Sequence, residues 1–234
     1  MAHIDDLPDL FRGVKLLIGN DGVFVFDVHW VGNLVGDGGF DQIYHEHLCY
    51  FSLGVLKKFI ESAGLGIFDI QLTSMHGASL RVFTAKNRPS QKSVGLILDK
   101  EKKMGLLKFA TYQKFAQRVK ENREDLIAIL LKLKKQGKTI VGYGAPAKGN
   151  TLFNFCGINH KTIDFITDTT PFKQGLYTPG GHIPVRHPDY FYKHKPDYAV
   201  LLAWNYADTI LEKEKKFRQS GGKFIIPVPS PKII

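Results

Sequence analysis

Between about Leu96 and Gln136 the chain has little turn chemistry and much lysine, glutamate and leucine, with Leu126, Ile129, Leu130 and Leu133 on one stripe. A stripe at that spacing demands a long helix, so everything else must fold on either side of it. The 234 residues are 44% hydrophobic, enough for one large or two small cores. We read two compact lobes joined by a helical connector.

Both lobes alternate helix and strand. In the first, Leu7, Leu10, Phe11, Val14, Leu17 and Ile18 recur at helical spacing, and Gly19-Asn20-Asp21-Gly22 ends that helix. Val23–Val28 is almost wholly apolar, which predicts a strand buried on both faces of a parallel sheet. Leu56, Phe59, Ile60 and Ala63 make the next helical face, closed by Gly64. Ile67–Leu72 and Leu80–Ala85 read as strands, and the Met75-His76-Gly77-Ala78 link is too short for a crossover helix, so this pair should be antiparallel.

The second lobe reads as strand Thr139–Tyr143, helix Lys148–Cys156, strand Thr162–Thr167, strand Tyr198–Ala203, helix Ala207–Gln219 and strand Lys223–Pro227. Four prolines and three glycines between Thr170 and Pro188 predict an ordered loop on the binding side.

The formal net charge is +10, and most of the excess lies between Lys100 and Lys138. Such a segment solvates a helix face or attracts an anionic small ligand such as a nucleotide diphosphate. No motif for nucleic-acid recognition accompanies it. Cys49 and Cys156 lie far apart among apolar residues, as buried thiols of a reducing compartment do. No apolar run reaches membrane-spanning length and the first residues lack a signal-peptide pattern, so we expect a cytoplasmic protein.

Gly142-Tyr143-Gly144-Ala145-Pro146-Ala147 follows a strand and opens a helix, and Asp168 ends the next strand. That is the form of a dinucleotide fingerprint. Pro146 removes one backbone donor and Lys148 adds a charge, which leaves three readings: NAD, a packing-driven glycine turn, or another phosphate-bearing ligand.

Residues 40–52, FDQIYHEHLCYFS, concentrate proton-transfer groups between two phenylalanines. In an extended segment Tyr44 and Glu46 point one way and His45 and His47 the other, an order that any local turn would change. A metal site would need a third ligand, for which His76 is the candidate. A polar loop satisfied by its own hydrogen bonds, or a histidine base tuned by Glu46 with Tyr44 polarising an oxyanion, are the other readings.

FDQIYHEHLCYFS (40–52), HGASLRVFTA (76–85), GYGAPAKGNTLFNFCGI (142–158) and DFITDTTPFKQGLYTPGGHIPV (164–185) together resemble, in order, the S-adenosylmethionine-dependent nucleotide-sugar C-methyltransferases. The resemblance implies the C-terminal half of a Rossmann-like methyltransferase domain with the catalytic loop (1–88), a helical connector (89–137) and a second Rossmann-like α/β domain that binds the nucleotide sugar (138–234). The family's zinc module and the glycine-rich half of its donor domain have no counterpart here. S-adenosylmethionine binding therefore falls largely outside this chain, and no metal is expected within it.

By the same resemblance His47 is the general base, with Tyr44, Glu46 and His3 beside it in the active site. Ser79, Arg81, Gly142, Gly144, Lys148, Asn150, Asp168, Lys173 and Gln174 are its nucleotide-sugar contacts, although Ala78 stands where the family has glycine. The implied reaction methylates a ring carbon of a nucleotide-linked keto-deoxysugar through an enolate. Alternatives are a nucleotide-sugar-binding or split-enzyme fragment and, on the glycine fingerprint alone, an NAD-dependent oxidoreductase. A sheet cut beside Val23–Val28 should also pair with a missing N-terminal half or with a second copy.

Overall fold

A computed structural model describes residues 1–73 and 79–234. It divides into two compact units, residues 1–37 with 45–116 and residues 38–44 with 117–234. Among the described residues no helix is long and apolar enough to cross a membrane. The architecture is mixed α/β with a parallel sheet in the second unit.

The first unit opens with α1 (Leu7–Leu17), where Asp6 accepts from the Asp9 N–H at 2.8 Å, Pro8 sits in the first turn, and Leu7, Phe11 and Val14 are buried. A side chain at Gly22 would collide with the Ile18 carbonyl, so the turn that the glycines predict is sterically enforced. β1 (Phe24–His29), β2 (Gly66–Thr73) and β3 (Ser79–Ala85) form a sheet of order β1-β3-β2, with β3 antiparallel to both neighbours.

The antiparallel β2–β3 pair is as the short link requires. β1 is not the doubly buried parallel strand that its apolar run suggests, because the run alternates. Phe24 and Phe26 pack edge-on against Phe11 at 6.1 and 5.8 Å, whereas Val25 on the other face is 44% exposed and Asp27 beside it pairs with Arg81.

α2 (Val31–Gly36) has no signature in the sequence, since its two glycines lower helix propensity. Gly32 is nevertheless required, because a Cβ there would lie 2.5 Å from the Trp30 indole. α3 (Leu53–Ser62) is capped by Ser52 and buries Leu53, Leu56 and Ile60, and Gly64 beyond it is left-handed (φ +78°). α4 (Lys92–Met104) stops at left-handed Gly105, so the stretch read as one helix is two, followed by α5 (Phe109–Lys135). The boundary between the units falls within α5, after Ala116.

Glu101 on α4 organises this unit. Its buried carboxylate accepts from Trp30 Nε1 at 2.6 Å, from Gly54 N at 2.9 Å and from Leu53 N, so it caps α3 and anchors the end of β1 together. Lys100 lies over the Trp30 ring at 4.9 Å.

The second unit is a sheet of order β6-β5-β4-β7-β8-β9, with β4 (Ile140–Tyr143), α6 (Ala147–Cys156), β5 (Ile166–Thr167), β6 (Val185–Arg186), α7 (Pro188–His194), β7 (Tyr198–Leu201), α8 (Ala207–Lys213), α9 (Lys215–Gln219), β8 (Lys223–Ile226) and β9 (Lys232–Ile233). All its pairings are parallel except β8–β9. Val141, Phe165, Phe191, Leu201, Phe217 and Phe224 fill one face. Gly142 and Gly149 allow close packing, since a Cβ at either would lie within 2.8 Å of Ile166 or Leu202.

β4, α6, β7 and β8 fall where the pattern places them. The strand expected over Thr162–Thr167 is only two residues long, and β6, α7 and β9 are unannounced. The helix expected over Ala207–Gln219 breaks at Glu214, whose carboxylate turns inward to accept from Tyr143 and Tyr192 at 2.6 and 2.8 Å. Cys156 is buried as expected, Cys49 only half so, and both thiols are free.

Glu101→Ala should strand three buried donors at once and lower stability by about 3 kcal/mol or more in urea denaturation. Lys57→Ala, which removes an exposed pair with Glu61, should change it by less than about 0.5 kcal/mol.

Candidate functional site

In the first unit the residues that carry chemistry gather where the loop after residue 44 returns to the end of β1. Trp30 bridges to Phe51, and the Val31 N–H donates to the Phe51 carbonyl at 2.9 Å, which fixes the C-terminal end of the segment bearing His47. The Leu48 N–H donates to the Ala2 carbonyl at 2.7 Å and brings the N-terminal residues alongside. His47 is 8% exposed, with the His3 ring edge-on at 5.0 Å, the His29 ring tilted at 5.0 Å and Tyr50 at 6.0 Å.

One expected member stands apart from this cluster. A turn at residues 44–46 replaces the extended alternation, so Glu46 is exposed and makes no hydrogen bond or ion pair among the described residues. Tyr44 belongs to the second unit, and His47 to the first. His76, the proposed third metal ligand, and Ala78 lie outside the described residues. Among the described residues no group of His, Cys, Asp and Glu is arranged to hold a metal ion.

Ser79 is buried on β3 directly opposite His29. Arg81 forms a two-point pair with Asp27, Nε at 3.0 Å and Nη2 at 3.1 Å, on the same face of the sheet.

In the second unit a cavity of about 280 Å³ opens at the carboxyl ends of β4, β5 and β7, lined among others by Tyr143, Gly144, Asp168, Lys173, Tyr192 and Lys213. Ligands of open α/β sheets bind at such ends. Gly144 is left-handed (φ +82°), as the turn from β4 into α6 requires.

Asp168 holds that turn. Its oxygens accept from Ala145 N at 2.6 Å and Thr170 N at 2.8 Å, while Lys173 Nζ donates to the Ala145 carbonyl at 2.8 Å and Gln174 donates to the Asp168 carbonyl at 3.0 Å. Burial pushes the Asp168 carboxyl up, but the Thr170 and Ala145 donors and the Lys173 charge outweigh it and hold the group below the usual carboxylate range. The structure thus brings Gly144, Asp168, Lys173 and Gln174 together. Ala145, whose N–H a dinucleotide pyrophosphate would use, already donates to Asp168.

Lys148 lies on a second side of the same helix start. Its ammonium sits 4.4 Å from the Trp204 ring centre and donates to Asn205 Oδ1. Trp204 Nε1 in turn donates to Asp41 Oδ2 at 2.6 Å. Asp41 is fully buried and its Oδ1 has no hydrogen-bond partner among the described residues, and its carboxyl is pushed up by burial, against the opposing pull of Lys148 and Trp204. Burial lowers Lys148 to about 8, while the Asp41 charge works to raise it. Gly142 packs under β5 and Asn150 follows on α6, which has no side-chain cap on its first N–H groups.

Residues 74–229 match the C-methyltransferase C-terminal domain. The chain belongs to this C-methyltransferase family. It is also 40% identical over 236 positions to C-methyltransferase NovU of Streptomyces niveus, a match that covers 100% of this chain and 56% of NovU. The chain therefore spans about half the length of that curated relative.

Sequence reasoning on this C-methyltransferase-family chain named His3, His47, Lys148 and Asp168, which lie in these clusters, and did not name His29, Asp41, Trp204 and Asn205, which lie beside them. A signal for Asp41 was present, as an acid directly beside Phe40 at the start of the 40–52 motif. None marked His29, which reads as the last residue of a strand.

Asp41→Asn should remove the one charge that supports the Lys148 ammonium and move its midpoint below about 8. Nitrogen-15 NMR of labelled lysines checks this. The amine should be charged below its midpoint and neutral above it in both proteins.

Proposed function

We propose that this chain carries the proton-abstracting and nucleotide-sugar-holding parts of a C-methyltransferase that acts on a ring carbon beside the ketone of a nucleotide-linked deoxysugar. The observation that supports this most is His47, a buried imidazole seated among His3, His29 and Tyr50 on a segment held by Leu48 and Phe51 on its C-terminal side.

A proton beside a ketone is far less acidic than imidazolium, so its removal needs a positioned base and a donor to the oxygen on which charge develops. His47 takes the proton and becomes imidazolium. His3, exposed at the edge of the imidazole cluster, contacts ligand atoms in this reading.

The diphosphate belongs to the second unit. The uncapped start of α6, Lys148 and the cavity rim with Lys173 and Lys213 all favour an anion. Lys148 is the tunable member, because its charge is lost as pH rises through about 8. Diphosphate affinity should therefore fall on the alkaline side.

S-adenosylmethionine would supply the methyl group as a sulfonium. The described residues do not fit it, because neither strand-to-helix passage of the first unit, His29–Val31 or 86–91, has a glycine turn. We assign no step to it within this chain. β1 lies at the edge of its sheet, and its outer side is a place for a strand from a donor-binding segment or a second copy. The same lack of a donor seat supports the second reading, a nucleotide-sugar-binding fragment without turnover.

Proton exchange separates the two. In deuterated buffer an enzyme part should exchange the ring proton beside the ketone of a nucleotide-linked keto-sugar without any methyl donor, and His47→Asn should slow this about a hundredfold or more. Exchange that survives the substitution would place the base elsewhere. Binding with no exchange in the unaltered chain would favour the fragment.

A further inference from the structure

His29 has no role in the reading above, yet it is one of the two imidazoles closest to the proposed base. We propose that His29 is a positioning residue for His47, a second imidazole built into the sheet that orients the base and favours its neutral form. The assignment rests on the proposed role of His47.

Three observations carry it. First, the ring centres of His29 and His47 are 5.0 Å apart with 41° between their planes, a side-by-side contact unlike the edge-on approach of His3 at 83°. Second, His29 is held far more firmly than His3. It ends β1 in register with buried Ser79, and the next residue, Trp30, is fixed by Glu101 and by the bridge to Phe51. A group on a strand fixes a neighbour more closely than one on an exposed terminal segment.

Third, the alternation of β1 puts His29 on the face of Asp27, away from Phe24, Phe26 and Val28. The apolar core of the unit therefore does not explain a ring at this position. Its contact with the loop does.

The physical effect follows from charge. Two imidazoles in contact resist being protonated together, so each lowers the proton affinity of the other and the pair titrates as a unit. A general base must be neutral to accept a proton. Among the described residues the other ionisable groups nearby are His3 on the N-terminal segment, exposed His45 and Glu46 and Tyr50 on the loop, Asp27 on β1 bound to Arg81 on β3, and Glu101 on α4 engaged by Trp30 and the start of α3. Substituting each imidazole in turn reads the coupling between the two rings themselves.

The test uses the chain without substrate, with nitrogen-15 NMR of its histidine rings followed across pH. In His29→Phe, which keeps a ring but removes the ionisable group, the proton-binding constant of His47 should rise about threefold or more. By reciprocity His47→Phe should raise the constant of His29 by the same factor, so the coupling can be read even if one variant does not fold. Either constant unchanged in a folded variant overturns the proposal.

A kinetic arm reads positioning directly. His29→Phe should slow ring-proton exchange near neutral pH with little change in KM, and the rate should recover in part as pH rises and His47 loses its proton. A rise in KM alone would show instead that His29 binds ligand. If the unaltered chain exchanges no proton, the base assignment fails while the NMR coupling still decides whether the pair exists.

Discussion

The buried Glu101 carboxylate is the constraint on which the first unit depends. A carboxylate away from water is tolerated only when donors replace its hydration. Here they come from the Trp30 indole and from two N–H groups at the start of α3. Satisfying that one charge brings the end of β1 to the end of the loop that returns from His47. The imidazole cluster is thus a consequence of where an acid on α4 finds its partners.

The second unit uses acids in the same way. Asp168 closes the turn between β4 and α6, and Glu214 gathers the hydroxyls of Tyr143 and Tyr192 beneath the cavity. Asp197 ties Thr139 and Lys138 at the other end of the sheet. Asp41 differs, because among the described residues one of its oxygens lacks a partner, and the cation beside it, Lys148, is itself partly desolvated. Burial of Lys148, only partly offset by the Asp41 charge, is what brings its titration to about 8, whereas the other acids serve the fold.

The sequence made the α/β alternation legible because strand and helix periods survive in it. β4, α6, β7 and β8 show that. It misled at β1, where Val23–Val28 looks doubly buried until Asp27 and His29 are seen to share a face with exposed Val25. It concealed α2 behind two glycines and the break at Glu214 behind an unbroken amphipathic pattern. Within the site, His47 and Lys148 could be named from their motifs. Their neighbours could not, since Trp204 reaches Asp41 across 163 positions and His29 meets His47 only after the loop folds back. Glu46 shows the converse, as a turn at residues 44–46 sends a motif acid into solvent.

The account turns on the second unit being a diphosphate seat whose strength is set by Lys148. The most direct measurement is calorimetric titration of the chain with thymidine diphosphate at pH 7 and again at pH 9, beside Lys148→Met. The account predicts one site per chain at pH 7, several-fold weaker binding at pH 9, and weak, pH-independent binding in the variant. Equal affinity at both pH values, or a variant that binds as the unaltered chain does, would contradict it.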